Sequence, residues 1–186
     1  MGEGFRIRDG RADDLEAMVR IYNHFVRSSH CTFDVQPFET HQRRDWFESH
    51  ARGGRHQLLV ATRDGEIVGY AGSGPFRPKE GYQTTVETTV YCDPRYLGRG
   101  IGDGLYSTLF SRLEGESIHR VVAGIALPNP RSVALHLRHR FRPVGRFTEQ
   151  GHKFGRFWDV EWYERPFPGW GPASGPLSIP SGIRPP

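Results

Sequence analysis

Glu87 interrupts a β-branched run, Thr84-Thr85-Val86-Glu87-Thr88-Thr89-Val90-Tyr91. Shortly after it come four glycines in eight positions, Leu97-Gly98-Arg99-Gly100-Ile101-Gly102-Asp103-Gly104. Glycine at alternate positions is costly in chain entropy, so bare backbone must be needed there. The residues that follow, Leu105 to Leu113, read as a helix. A strand leading through a glycine loop into a helix can hold phosphate: backbone N–H groups converge, and the helix N-terminus adds its positive end. A tight turn is the other use of such glycines. Strand alternation puts Thr85, Glu87, Thr89 and Tyr91 on one face, with Val86, Val90 and Cys92 on the other. One face is therefore apolar core, and the other carries a single carboxylate among polar groups. Beside the loop, Glu87 is a candidate general base whose pKa burial would raise; the alternative is an exposed cross-strand partner.

Most phosphate loops are excluded by spelling. Walker A requires Gly-Lys-Ser/Thr, which is absent, and the dinucleotide fingerprint fails because Asp103, Leu105 and Ser107 stand where its third glycine belongs. A pattern Q/R-x-x-G-x-G fits as Leu97-Gly98-Arg99-Gly100-Ile101-Gly102, with Leu97 in the first place. In this the loop resembles the pyrophosphate loop of GNAT-type acetyltransferases, which cradle the diphosphate of acetyl-CoA.

Wider stretches resemble the phosphinothricin N-acetyltransferase family within that fold. They are Ile21-Tyr22-Asn23-His24, Arg77-Pro78-Lys79-Glu80-Gly81-Tyr82, Thr85 to Tyr91, Leu127-Pro128-Asn129-Pro130, Ser132-Val133-Ala134-Leu135-His136, Gly151-His152-Lys153 and Trp158-Asp159. The likeness runs from about residue 5 to 165. It implies the GNAT acyl-CoA N-acyltransferase fold and acetyl-CoA as cosubstrate, held by Gly98, Arg99, Gly100, Ile101, Gly102 and Asp103. It also implies strand-like pairing of the Val90-Tyr91-Cys92 backbone with the pantetheine arm, and a further contact from Asn129. His136 falls where many such enzymes carry a tyrosine acid; in this branch a His there is expected to work with Glu87 as the catalytic pair. Phe33 corresponds to an aromatic wall of the amino-acid pocket. Homodimers are common in the family, and a second copy is carried over on that ground. Arg140 (usually Gly) and Phe157 (usually Trp) depart from the pattern.

For the acceptor, Arg77 and Lys79 precede Tyr82 on the loop entering the Glu87 strand, and two flexible cations suit a carboxylate and a phosphinate or sulfoximine. Solvated loop charge is the plainer reading. Thr89 and Tyr91 add hydroxyls on the Glu87 face. The substrates implied are phosphinothricin, methionine sulfoximine and methionine sulfone, acetylated on the α-amino group by direct transfer. The alternatives are another amine, such as a polyamine or a protein N-terminus, and a non-catalytic acyl-CoA-binding module. His136 and His139 form an H-x-x-H pair, but no third ligand stands at sensible spacing, so no metal is expected.

The elements that must position these groups follow from periodicity. Phe5 to Arg8 reads as a first strand. Asp13 with Glu16 reads as a capping box for a helix whose apolar residues are Leu15, Met18, Val19, Tyr22, Phe25 and Val26. A second helix spans about Glu39 to Arg52. Leu58 to Thr62 and Glu66 to Gly72 form a hairpin through Asp64-Gly65. Then come a strand Thr84 to Cys92, a helix Gly102 to Leu113, a strand Val121 to Leu127, a helix Ser132 to His139, and strands Val144 to Phe147 and Phe157 to Tyr163. This is an α/β (α+β) domain, a mixed central sheet flanked by helices, over residues 1–165. Residues 166–186 are rich in Pro, Gly and Ser and read as an extended or disordered tail.

With 186 residues the chain forms one domain, and 36% hydrophobic with 25% charged residues is the composition of a soluble globular protein. No apolar run approaches a membrane span, no signal-peptide pattern opens the chain, and Arg6 stands where a myristoylation motif needs Ser or Thr. Two cysteines, Cys31 and Cys92, in different elements suit reduced thiols in the cytoplasm. The net charge of +4 permits a nucleic-acid partner, but its basic residues are interleaved with acidic ones and carry no nucleic-acid signature.

Overall fold

A computed structural model describes residues 4–50 and 53–167. The elements run β1 (Arg6–Asp9), α1 (Leu15–Ser28), α2 (Arg44–Glu48), β2 (Leu58–Arg63), β3 (Glu66–Pro75), β4 (Thr85–Cys92), α3 (Ile101–Leu113), β5 (Arg120–Ala126), α4 (Pro130–Arg138), β6 (Arg142–Lys153) and β7 (Arg156–Pro166). Seven strands form one sheet in the order β1-β2-β3-β4-β5-β7-β6. Only β4 and β5 pair in parallel; the other pairs are antiparallel. The Asp64-Gly65 turn works as its residues require, both in the left-handed region at φ 50° and 83°.

Each face of the sheet buries its own core. On one side Leu105, Leu109 and Leu113 of α3 pack on Val86, Val121, Ala123 and Ile125. On the other, Leu15, Met18 and Ile21 of α1 pack on Val60, Ile67 and Tyr70. The β4 alternation is as expected: Val86, Val90 and Cys92 join the α3 core, while Tyr91 packs on the α1 side.

The feature that makes a site is where β4 and β5 stop pairing. Their parallel ladder joins Thr85, Val86 and Glu87 to Arg120, Val121 and Val122 and goes no further. Beyond it, β4 continues against β3 as far as Cys92, and β5 against β7 as far as Ala126. The sheet is therefore split at its centre, with Glu87 at the head of the split.

Several expectations are corrected. The N-cap position of the first helix falls not on Asp13, which is exposed, but on Asp14, whose carboxylate turns back from the helix. Asp14 accepts from the Arg11 backbone N–H at 2.8 Å and is held by both terminal nitrogens of Arg8 at 2.6 and 2.8 Å. The helix expected over Glu39 to Arg52 is a 3-10 turn, Thr40–Arg43, followed by the short α2. It stops because the Ser49 hydroxyl and His50 Nδ1 donate to the Trp46 carbonyl, at 2.6 and 2.8 Å. Residues 51–52 lie outside the described part. β6 and β7 are longer than expected, and residues 142–150 of β6 are all exposed on the sheet edge, so no alternation marks them. Pro166 ends β7 and Phe167 is buried in the α3 core. The rest of the expected tail, 168–186, lies outside the described residues.

Candidate active site

A cavity of about 690 Å³ occupies the split. Glu87 through Cys92 form one wall, Ala123 through Ala126 the other, and the glycine loop with the start of α3 closes one end. Ser29, His30 and Cys31, which follow α1, close the α1 side.

The four glycines divide by purpose. Gly98 and Gly100 are left-handed, at φ 79° and 77°, with open space where a Cβ would stand. They bend the chain into a concave loop, and Gly100 opens α3, whose first N–H groups have no intrahelical acceptor. Gly102 and Gly104 serve packing instead. A Cβ on Gly102 would meet Leu135 at 3.2 Å, and one on Gly104 would meet the Phe5 ring at 2.7 Å. A cradle of backbone donors at a helix N-terminus fits a pyrophosphate. Leu97 is exposed beside it. Gly98, Gly100, Ile101, Gly102 and Asp103 line the cavity. Arg99 stands outside that lining, exposed, its guanidinium 5.7 Å from the Tyr96 ring centre. The Asp103 carboxylate is engaged with α4, accepting from His139 Nε2 at 3.1 Å and Arg138 at 3.4 Å. Asn129 lines the cavity while its Oδ1 caps α4, accepting from Ser132 N–H at 3.2 Å.

Glu87 is half-buried, and that burial raises its pKa above the ordinary carboxylate value, against an opposing pull from Arg77. Thr89 is exposed at the rim. The Tyr91 ring sits edge-on to Tyr22 at 5.0 Å and stacks on Tyr70 at 5.6 Å. Desolvation holds its phenol well above the ordinary value, so it stays protonated.

His136 is buried, 3% exposed. Its Nδ1–H donates to the Ser132 carbonyl at 2.7 Å, which leaves Nε2 to accept from the Tyr106 hydroxyl at 3.0 Å. Burial pushes its pKa down to about 4. The imidazole is neutral at pH 7. His139 has its own partner in Asp103, so the two histidines do not converge as ligands.

Of the remaining predicted acceptor residues, Phe33, Arg77, Lys79 and Tyr82 stand outside the cavity lining. The Phe33 ring lies on Gly151, within 2.2 Å of where a Cβ would be. Arg77 and Tyr82 gather on Phe76, at 5.0 and 5.6 Å. Phe76 in turn meets Trp162 at 5.8 Å. Sequence reasoning missed Tyr106, because in the run Leu105, Tyr106, Leu109, Phe110 it reads as one more core side chain. Only its hydroxyl, buried beside His136, Thr88 and the Glu87 charge, sets it apart.

A split mixed sheet with a glycine cradle at one end of the gap and a carboxylate at its head is the architecture of an acyl-CoA-dependent acyltransferase. The model of the acetyltransferase (GNAT) family matches residues 18–141, and the chain belongs to that family of N-acetyltransferases. It is 51% identical over 163 residues to a phosphinothricin N-acetyltransferase of Streptomyces coelicolor, covering 87% of this chain and 95% of that one. It is 36% identical to an L-methionine sulfoximine/L-methionine sulfone acetyltransferase of Pseudomonas aeruginosa, over 83% and 90% of the two chains. Among solved structures it is similar to a GNAT-superfamily phosphinothricin acetyltransferase from Sinorhizobium meliloti in complex with acetyl-CoA. That likeness has a TM-score of 0.86 and 30% identity, and covers 94% of each chain. Among the described residues no helix is long and apolar enough to cross a membrane.

Proposed function

We propose that this chain acetylates the α-amino group of a small amino-acid-like acid of the phosphinothricin, methionine sulfoximine or methionine sulfone type. The observation that carries the reading is Glu87, a half-buried carboxylate with a raised pKa, at the point where the sheet splits. The glycine cradle and the unpaired side of β4 from Val90 to Cys92 would hold acetyl-CoA from the α3 side. When bound, acetyl-CoA supplies an acyl group activated as a thioester. The acceptor would approach from the α1 side, the face of Glu87, Thr89 and Tyr91.

Glu87 would accept the proton that the amine sheds as the N–C bond forms and the thioester C–S bond breaks, with CoA leaving as a thiolate that takes its proton from solvent, a general-base role of about 10²–10⁴-fold. Of the two roles expected for His136, assistance to that base is favoured over proton donation to sulfur. A neutral imidazole whose only N–H is committed to Ser132 has no proton to give. Arg77, near enough to lower the Glu87 pKa, would supply positive charge for the acceptor's acidic groups, with Lys79 two residues on along the same loop. Direct transfer is part of this reading, because burial raises both cavity thiols, Cys31 and Cys92, and keeps them protonated rather than poised as acyl carriers.

Action in the cytoplasm as a homodimer belongs to the same reading. Exposed Val144 and Phe147 on the β6 edge, with Phe154 and Phe157 at the hairpin end, favour a covering partner. An acetyl-transfer assay across a panel of amines tests the substrate. The two sulfur analogues and phosphinothricin should be acetylated, aliphatic amino acids poorly, and spermidine not at all. Preference for polyamines or peptide N-termini over all three would overturn it.

A further inference from the structure

We infer that Lys153 is a positioning residue for the acceptor side of the cleft, holding the Ser29-His30-Cys31 segment in place from beneath. Its side chain is 3% exposed, although no carboxylate pairs with it among the described hydrogen bonds and ion pairs. The ammonium instead donates to three backbone carbonyls: Thr32 at 2.7 Å, Ser29 at 2.8 Å and Phe25 at 3.4 Å. Burying a charge is costly unless every proton finds an acceptor, and here three protons meet three carbonyls.

The location gives the arrangement its purpose. Phe25 carries one of the last carbonyls of α1 and Ser29 is its C-cap, so the ammonium sits at the helix C-terminus, where the dipole favours a cation. The chain then turns through Ser29, His30 and Cys31, which line the cavity on the face of Glu87 and Tyr91. The hairpin that supplies Lys153 grips the same segment a second time. Trp158 donates its indole N–H to the Lys153 carbonyl at 2.9 Å and lies flat against the His30 ring at 3.8 Å. His30 reaches across the cleft to the Pro128 carbonyl at 3.1 Å. Lys153 thus ties the wall on the α1 side to the β6–β7 hairpin without touching substrate itself.

This inference rests on the acceptor entering from the α1 side. The test uses Lys153→Met, which keeps the stem and removes the donors. Amide hydrogen exchange over residues 29–34 should quicken about tenfold or more while protection in α3 is unchanged. The acceptor KM should rise about tenfold to a hundredfold with the acetyl-CoA KM within about twofold, since small misplacements near reacting groups are costly. Should Lys153→Met fail to fold, Lys153→Gln is read in the same way. Unchanged exchange in the segment, or two KM values that move together or not at all, overturns the inference. The exchange measurement needs no acceptor. Wild-type protein that acetylates none of the three analogues would overturn the proposed substrate class, and Lys153 would then be tested on the amine the wild type does accept.

Discussion

The Ser132 carbonyl stands 2.7 Å from His136 Nδ1, and because a carbonyl can only accept, this contact fixes which proton the imidazole carries. With Nδ1–H given to Ser132, the neutral ring's Nε2 accepts from the Tyr106 hydroxyl at 3.0 Å.

A pH dependence of stability follows. The His136 pKa is near 6.5 unfolded and about 4 folded, so between these values the unfolded chain binds more protons. The native state's advantage is complete above about pH 6.5 and is lost as the pH falls toward 4, on the order of 3 kcal/mol in all. Burial lowers His30, His50, His56 and His139 as well, with the same sign. Urea unfolding at pH 7 and pH 5 should show the loss, and one histidine ring should titrate near 4 by NMR. A His136 resonance titrating near 6.5 would restore the imidazolium acid.

Arg77 and Glu87 are coupled through charge. Burial raises the Glu87 pKa and Arg77 lowers it, so Arg77→Ala should move the acid limb of the kcat/KM profile to higher pH. Arg77 is exposed, so the move is small and shrinks with added salt. Glu87→Gln should abolish that limb and lower kcat about 10²–10⁴-fold with acetyl-CoA still bound. Near-normal turnover in Glu87→Gln would make the residue structural.

Gly100 has room for a side chain but not the backbone for one. At φ 77° a Cβ costs about 1–2 kcal/mol, and a β-branched residue more. Gly100→Val should raise the acetyl-CoA KM at least about tenfold, the loop relaxing away from its cradle conformation. Isothermal titration with CoA measures this directly, and unchanged affinity would remove the loop from the cofactor site.

Arg140 presents the opposite case. It is left-handed at φ 64° and sits at the end of α4, where Phe141 N–H reaches the His136 carbonyl and Arg140 N–H the Leu137 carbonyl, both at 3.0 Å. That pair of bonds is a Schellman ending, which glycine suits best. Arg140→Gly should stabilise by about 0.5–1 kcal/mol, or about 2 °C or more in Tm, with activity unchanged. A lower Tm would show that the arginine side chain matters more than its backbone.

Much of this was legible in the sequence because single residues carried it. Glu87 in a β-branched run announced both a strand and a polar face, and the Asp64-Gly65 pair announced its turn. The glycine loop announced a cradle, but two of its glycines proved to be packing sites for Phe5 and Leu135, a distinction that lives in three dimensions. Asp13 and Asp14 are adjacent and alike in sequence, and only the reach of Arg8 shows which of them is buried and paired. Residues 142–150 hide their strand because an exposed edge imposes no alternation. His136 was visible as a residue and silent as to charge, since its neutrality comes from burial, which only the folded chain imposes.

The split also divides the sheet into two leaves, joined by a short ladder and by the α3 core that packs on both. Strands β1 to β4 form one leaf and β5 to β7 the other, stitched at three residue pairs. A donor molecule seated in the gap would act as a fastener between the leaves, so occupancy would be felt as stiffness throughout the protein. At a hundred times its Kd, acetyl-CoA should add about 2.7 kcal/mol to the unfolding free energy. Resistance to protease would rise with it, measurable as a longer half-life under limited digestion. Survival of the catalyst would then follow the supply of its own donor.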